Sequence, residues 1–197
     1  MQKLVLHCGA GGSPLPFYMQ HCKEIKVDID PETEPDILAN MAELPENIGP
    51  FDAVFSSHAL EHLWPHEVKP CLEGWLRVLK PGGSVILFVP DLEGVQPTKE
   101  VLYVAASGPV TGFDMYYGWE KWLKNSPAMA HKGGFVQATL RQALEDAGFS
   151  NVVVERLSGP YAYNLYGFGV KSDREKESGN LSTDLSLQAS SGDSGVD

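Results

Sequence analysis

The stretch that decides the fold is RVLKPGGSVILFVP, residues 77–90, in which a Pro-Gly-Gly break separates a helical pattern from a strand pattern. On the amino-terminal side, four apolar residues recur at the i, i+3, i+4 and i+7 spacing of an amphipathic helix: Leu72, Trp75, Leu76 and Leu79. The break then provides the stop signal. Residues 84–89 are almost entirely apolar, which is typical of a strand buried on both faces. The stretch predicts a helix lying against a sheet and a strand inside it.

The same alternation runs through the rest of the body. Strands are predicted at Leu4–Cys8, Ile25–Ile29, Phe51–Ser56, Ser84–Val89, Val152–Leu157 and Leu165–Val170, with a weaker one at Asp36–Leu38. A second helical pattern ends at Gly148 and consists of Leu140, Ala143, Leu144 and Ala147. Strands alternating with helices predict an α/β fold, a doubly wound and mostly parallel sheet with helices on both faces.

Two segments fall outside this pattern. Residues 91–134 are too long for an ordinary connection, which predicts a partly helical, lid-like insertion in a domain spanning 1–172. Residues 173–197 hold six acidic and two basic residues, are rich in Ser and Gly, and lack aromatic residues. Such a composition cannot offset the entropy of ordering the chain, so we predict a disordered acidic tail.

Composition and charge limit the number of domains, the location and the partners that can be expected of the protein. The 197 residues, 43% of them hydrophobic, suffice for one domain. No apolar run approaches the roughly 20 residues of a membrane span, and no secretion signal is visible, so a cytoplasmic protein is expected. Three scattered cysteines, Cys8, Cys22 and Cys71, predict reduced thiols. The net charge of -11 disfavours nucleic acid and favours a neutral or cationic acceptor.

A glycine-rich turn follows the first predicted strand in LVLHCGAGGS, residues 4–13. Gly9, Gly11 and Gly12 would let a ligand approach the backbone, in a turn expected to lead into a helix. Asp28 ends the second predicted strand about 17 positions after Gly11, the spacing at which a carboxylate meets ribose hydroxyls. A nicotinamide dinucleotide would fit both features, but Pro14 stands where its fingerprint needs a third glycine. A ligand with vicinal ribose hydroxyls is therefore predicted, and a nicotinamide dinucleotide is disfavoured.

The glycine turn and the acidic strand end are followed in order by NMAELP (40–45), FDAVFSSHALEHL (51–63) and RVLKPGGSVILFVP. Together these motifs resemble those of class I S-adenosylmethionine-dependent methyltransferases, over roughly residues 4–170. The insertion also resembles that of small uncharacterised bacterial methyltransferase-like proteins. The resemblance implies a Rossmann-like sheet of seven strands with the last one antiparallel, with S-adenosylmethionine as cofactor and S-adenosylhomocysteine as product.

The resemblance also implies roles for individual residues. Gly9 and Gly11 would border the methionine part of the cofactor, and Asp28 would bind the ribose. Asn40 and Met41 would flank the adenine, while Ser57 and His58 would face the sulfonium. The predicted cofactor site further includes the neighbouring residues His7, Ala10 and Ile29. Two of these depart from the usual family pattern, since His7 and Asn40 stand where acidic residues are common.

Several residues qualify for the acceptor side. His58 is a candidate general base, because imidazole titrates near neutral pH. His131 and Asp114, together with aromatic residues of GFDMYYGWEKWL (112–123), would wall an acceptor pocket or fasten the insertion to the core. His58, His62 and His66 have a helical metal-ligand spacing, but Pro65 interrupts that helix, so no metal site is predicted.

These observations predict a methyltransferase acting on an unidentified small-molecule or protein side-chain acceptor. Two alternatives stay open at this level. One is a non-catalytic S-adenosylmethionine-binding or interaction module, and the other is a nicotinamide-dependent oxidoreductase. The sequence does not specify the oligomeric state or the acceptor atom.

Overall fold

The computed structural model describes residues 2–105 and 108–173. Its main sheet has seven strands: β1 (Leu4–Cys8), β2 (Lys23–Asp28), β3 (Ile37–Leu38), β4 (Phe51–Ser57), β5 (Leu79–Pro90), β8 (Ser150–Arg156) and β9 (Asn164–Val170). They lie in the order β3-β2-β1-β4-β5-β9-β8. β9 alone runs in the opposite direction to the other six strands and pairs antiparallel with both β5 and β8. The expected fold class, a Rossmann-like and mostly parallel sheet whose last strand is antiparallel, is confirmed.

Two long helices cover one face of the sheet. They are α1 (Pro65–Val78) and α4 (Gln137–Asp146), and they also contact each other. Trp75 and Leu140 are fully buried in the core between this layer and the sheet. Pro65 occupies the first turn of α1, where its missing N–H costs nothing. The helix ends one residue before Leu79, which instead pairs with Phe51 of β4.

The opposite face has a thinner cover than the sequence pattern predicts. A small cluster there packs Leu15 and Met19, from the segment after β1, against β1 and β4. The glycine turn was expected to lead into a helix, and this expectation is wrong: residues 9–22, all described, contain only the 3₁₀ turn Phe17–Met19. Pro14 and Pro16 explain the difference, since each removes a backbone donor and disfavours a helical residue before it.

The insertion predicted at 91–134 contains more regular structure than expected. A β-hairpin of β6 (Val101–Ala105) and β7 (Gly108–Thr111) precedes α2 (Gly112–Tyr117) and α3 (Glu120–Leu123). The prediction of a partly helical insertion did not include β6 and β7. One face of these strands packs around the small core of Val95, Val110 and Met115, but the alternation is hidden because the exposed Val101 and Val104 are apolar too.

The remaining expectations concern the ends of the chain and its environment. Apart from Asp173, the predicted acidic tail lies outside the described residues. Cys8, Cys22 and Cys71 are free. Nowhere in residues 2–105 and 108–173 does a helix have the length and hydrophobicity needed to cross a membrane.

Candidate active site

A cavity of about 660 Å³ opens at the carboxyl ends of β1, β2 and β4. This is where the strand order reverses, between β1 and β4, and parallel α/β sheets bind ligands at such a point. Every residue predicted for the cofactor lines this cavity: His7, Gly9, Ala10, Gly11, Asp28, Ile29, Asn40, Met41, Ser57 and His58. The structure therefore brings together ten residues that the sequence spreads over about 50 positions.

The glycine turn owes its shape to the sheet beneath it. Gly9 has a φ of +65°, in the left-handed region, and a Cβ atom there would overlap the Cβ of Ala59. The amides of Gly9 and Ala10 both donate to the carbonyl of Val27 at the end of β2. A side chain at position 9 would therefore push apart the two loops that form the cavity floor.

Asp28 is held in place by two backbone amides. Its carboxylate oxygens accept hydrogen bonds from Gly11 N, at 2.7 Å, and from Asp30 N, at 3.0 Å. Each carboxylate oxygen can accept more than one bond, so the group keeps capacity for two ligand donors. The glycine turn and the acidic strand end thus form one unit, in which the turn orients the carboxylate.

His7 is 2% exposed at the cavity wall, where acidic residues are common in the family it resembles. Its Nδ1 lies 2.6 Å from Oε1 of Glu24, and its ring meets Phe55 edge-on. Burial lowers the pKa of His7 below 6.5, although the contact with Glu24 opposes this shift. The histidine therefore links the cavity to a carboxylate on the neighbouring strand.

Asn40 also has a local role. Its side-chain carbonyl accepts a hydrogen bond from Ala42 N at 3.0 Å, which fixes the loop that carries Met41. The backbone carbonyl of Met41 in turn accepts from the indole of the buried Trp75, at 3.3 Å. This side of the cavity is thereby anchored to α1.

A second cavity of about 300 Å³ adjoins the first. Three residues line both cavities, namely His58, His62 and Met129. The predicted acceptor-side residues His58, Asp114 and His131 all line the smaller one, and aromatic residues of the insertion enclose it: Tyr103, Trp119 and Trp122. Of the aromatic residues in 112–123, Trp119 and Trp122 line this space, and His58 stands at the junction of the two cavities.

His58 follows β4 in a strained conformation. Its φ is +52°, which is uncommon for a residue other than glycine, and its amide donates to Phe88 O at 2.9 Å. Its Nδ1 lies 3.4 Å from Oε1 of Glu61. Burial lowers the pKa of His58, but contact with the charge of Glu61 outweighs it, so the net pKa is raised above 6.5.

Glu61 is 1% exposed, and neither carboxylate oxygen accepts a hydrogen bond from the described residues. Burial raises the pKa of Glu61, but His58, His62 and His131 outweigh this and hold it below its ordinary value. The sequence places Glu61 beside His58 and His62, yet gave no signal for its approach to His131, 70 positions later. The structure therefore shows a buried ionisable cluster that sequence reasoning missed.

Asp114 has a structural task. Its carboxylate accepts hydrogen bonds from the amide and hydroxyl of Thr111, and the Thr111 hydroxyl accepts from the Asp114 amide, which forms a capping box on α2. His131 instead points its Nδ1 at the carbonyl of Met115, at 2.8 Å. Burial lowers the pKa of His131 below 6.5, although Glu61 opposes this.

Comparison with known proteins finds a matching family model. Residues 4–87 match a model described as a methyltransferase domain. The chain therefore contains a methyltransferase domain, and its fold is the one seen in class I S-adenosylmethionine-dependent methyltransferases. The enzyme class and the S-adenosylmethionine cofactor expected from the sequence are thereby confirmed. No curated protein matches the sequence significantly.

Solved structures similar to this methyltransferase share its fold at low sequence identity. The 1,6-didemethyltoxoflavin-N1-methyltransferase of Burkholderia thailandensis, solved with 1,6-didemethyltoxoflavin and S-adenosylhomocysteine, is 19% identical with a TM-score of 0.59, covering 87% of this chain and 72% of its own. A putative S-adenosylmethionine-dependent methyltransferase from Listeria monocytogenes is 17% identical, with a TM-score of 0.62 and coverages of 87% and 92%. One from Mesorhizobium loti is 15% identical, with a TM-score of 0.62 and coverages of 85% and 90%.

Proposed function

We propose that this methyltransferase binds S-adenosylmethionine in the larger cavity and transfers its methyl group to a small molecule held in the smaller one. The observation that carries the proposal is the shared wall: His58, His62 and Met129 line both spaces. A methyl carbon at that wall would lie between the sulfonium and an acceptor. Alignment of this kind supplies much of the catalysis in an in-line transfer.

The cofactor assignment follows from the residues of the larger cavity. Asp28, oriented by Gly11, would accept hydrogen bonds from the ribose hydroxyls. Asn40 and Met41 would flank the adenine, Gly9 and Gly11 would border the methionine part, and Ser57 and His58 would face the sulfonium. His7, Ala10 and Ile29 complete the proposed cofactor wall.

The smaller cavity favours a small-molecule acceptor over a protein side chain. Its volume of about 300 Å³ lies at the lower end of the range for small-molecule pockets, and its aromatic wall suits a flat or apolar molecule. The similar enzyme from Burkholderia thailandensis was solved with a small molecule, 1,6-didemethyltoxoflavin. His58 would accept the proton released by the acceptor, and His131 lines the same space.

Two measurements test this function. Calorimetric titration with S-adenosylhomocysteine should show one site, and incubation with S-adenosylmethionine and a panel of small hydroxyl and amine compounds should yield S-adenosylhomocysteine. The variant Ala105→Trp, which fills the smaller cavity alone, should keep product binding and lose turnover. If the wild type binds S-adenosylhomocysteine but turns over no acceptor, the non-catalytic module is favoured instead.

A further inference from the structure

Three side chains at the wall between the cavities form a cluster with the composition of a metal site. Glu61, His62 and His131 each offer one ligand atom, and these atoms all lie within 4.8 Å of one another. His58 stands beside them, with its Nδ1 3.4 Å from Glu61. Two imidazoles and one carboxylate are a common ligand set for Zn²⁺ and related divalent ions.

The two histidines are held in the tautomer that binds metals. His62 Nδ1 lies 3.2 Å from Ala130 O, and His131 Nδ1 lies 2.8 Å from Met115 O. A carbonyl oxygen can only accept, so Nδ1 carries the proton in both rings and Nε2 of the neutral ring keeps its lone pair. Metal-binding histidines are typically fixed in this way by a backbone carbonyl on the other ring nitrogen.

The carboxylate of Glu61 is buried without a hydrogen-bond partner in the described part of the chain. It is 1% exposed, and both of its carboxylate oxygens lack hydrogen-bond partners among the described residues. A buried carboxylate without partners is costly, unless a positive charge compensates it. A divalent ion among the three ligand atoms would provide that charge and occupy the empty acceptor positions.

The backbone around the cluster is tied together across the fold. Lys132 N and Gly133 N both donate to the carbonyl of Glu61, at 2.9 and 3.1 Å. The amide of His131 donates to Tyr117 O, at 3.2 Å. Ligand atoms of a tetrahedral Zn²⁺ site stand about 3.4 Å apart. Side-chain movements of about 1 Å would bring the three ligand atoms to this spacing while the backbone stays in place.

We propose that Glu61, His62 and His131 bind one divalent transition-metal ion such as Zn²⁺, and that this ion receives the acceptor through a hydroxyl oxygen. The acceptor class rests on the proposed methyl transfer, whereas the metal site does not. A tetrahedral ion with three protein ligands keeps its fourth position open to the smaller cavity. The methyltransferase would then be an O-methyltransferase.

The chemistry at that position balances without any redox change. The ion would lower the pKa of a bound hydroxyl, as it does for bound water, and the proton would pass to His58 in the wall of the same cavity. A C–O bond forms from the resulting alkoxide as the C–S bond of the sulfonium breaks. The products are a methyl ether and S-adenosylhomocysteine, and the ion is unchanged.

Titration of the chelator-treated full chain with Co²⁺ tests the site, because Co²⁺ bound to nitrogen and oxygen ligands absorbs visible light. We expect one equivalent to bind, and at least about a 100-fold loss of affinity in E61Q and in H131Q. The control H66Q removes an exposed histidine outside the cluster and should bind as the wild type does. Equal affinity in all four proteins, or no Co²⁺ absorption, would overturn the proposal.

Three further measurements separate the possible failures. Circular dichroism and thermal unfolding show whether each variant folds. If E61Q does not fold, the test rests on H131Q: Zn²⁺ should raise the Tm of the wild type but not that of H131Q. S-adenosylhomocysteine binding is measured on the same samples, and its absence would refute the proposed function without touching the metal site. Acetohydroxamate, a chelating oxygen ligand, should shift the Co²⁺ spectrum, and an unchanged spectrum would refute the hydroxyl acceptor.

Discussion

Asp28 offers the sharpest test of the cofactor site, because its carboxylate is already oriented by Gly11 and Asp30 before any ligand arrives. Asp28→Ala should remove two charge-assisted hydrogen bonds to the ribose, each worth about 1.5 kcal/mol or more. The expected loss is about 3 kcal/mol, which corresponds to about 150-fold weaker binding of S-adenosylhomocysteine. Asp28→Asn keeps one acceptor oxygen and should lose about 10-fold.

Calorimetry measures both variants against a matched control, Asp36→Ala. Asp36 also accepts one backbone hydrogen bond, from Lys26 N at 2.8 Å, but it does not line the larger cavity. Its variant should bind within about threefold of wild type, since it loses loop order and no ligand contact. Removing the 2′-hydroxyl from the ligand should weaken wild-type binding but not that of Asp28→Ala. Similar affinities for Asp28→Ala and Asp36→Ala would refute the assignment of the ribose to Asp28.

Three further predictions concern stability. Trp75→Ala should cost about 3–5 kcal/mol in urea unfolding, because Trp75 is fully buried, whereas the half-exposed Trp122→Ala should cost under about 1 kcal/mol; equal costs would contradict the core described above. Burial lowers the pKa of His7, so the unfolded chain takes up its proton first, and the wild-type Tm should fall as pH drops below 6.5. His7→Gln should flatten that fall, and an unchanged pH profile would exclude His7 as its source. Thr111→Val removes the α2 cap at about 1 kcal/mol and should lower Tm by about 2–4 °C without changing product affinity; a Tm within 1 °C of wild type would show that the cap is dispensable.

The sheet was predictable because its strands are written as local patterns. The first strand is predicted with the bounds that β1 has. β5, however, begins at Leu79, two residues before the Pro-Gly-Gly break that was expected to precede it. The thin cover on the second face of the sheet could not be predicted in this way. It results from Pro14 and Pro16, which stop a helix from forming after the glycine turn. β6 and β7 escaped notice because the exposed Val101 and Val104 are apolar, so the period-2 pattern of a half-buried strand is absent.

The two sides of the site differ in the same way. The cofactor residues follow strand ends, and the ends of parallel strands must meet at one edge of the sheet, so their order in sequence predicts their proximity. The cluster around Glu61 has no such signal. It depends on how the insertion returns to the core, where His131 reaches a turn formed 70 positions earlier.

The two hydrogen bonds from the amides of Lys132 and Gly133 to the Glu61 carbonyl hold the segment before α4 against the Glu61 cluster. The segment that makes them also covers both cavities, since Met129 lines the two spaces and Lys132 lines the larger one. Any movement that lifts this segment to admit a molecule withdraws His131 from Glu61 at the same moment. Access along this side of the cavities and assembly of the Glu61 cluster therefore depend on the same piece of chain.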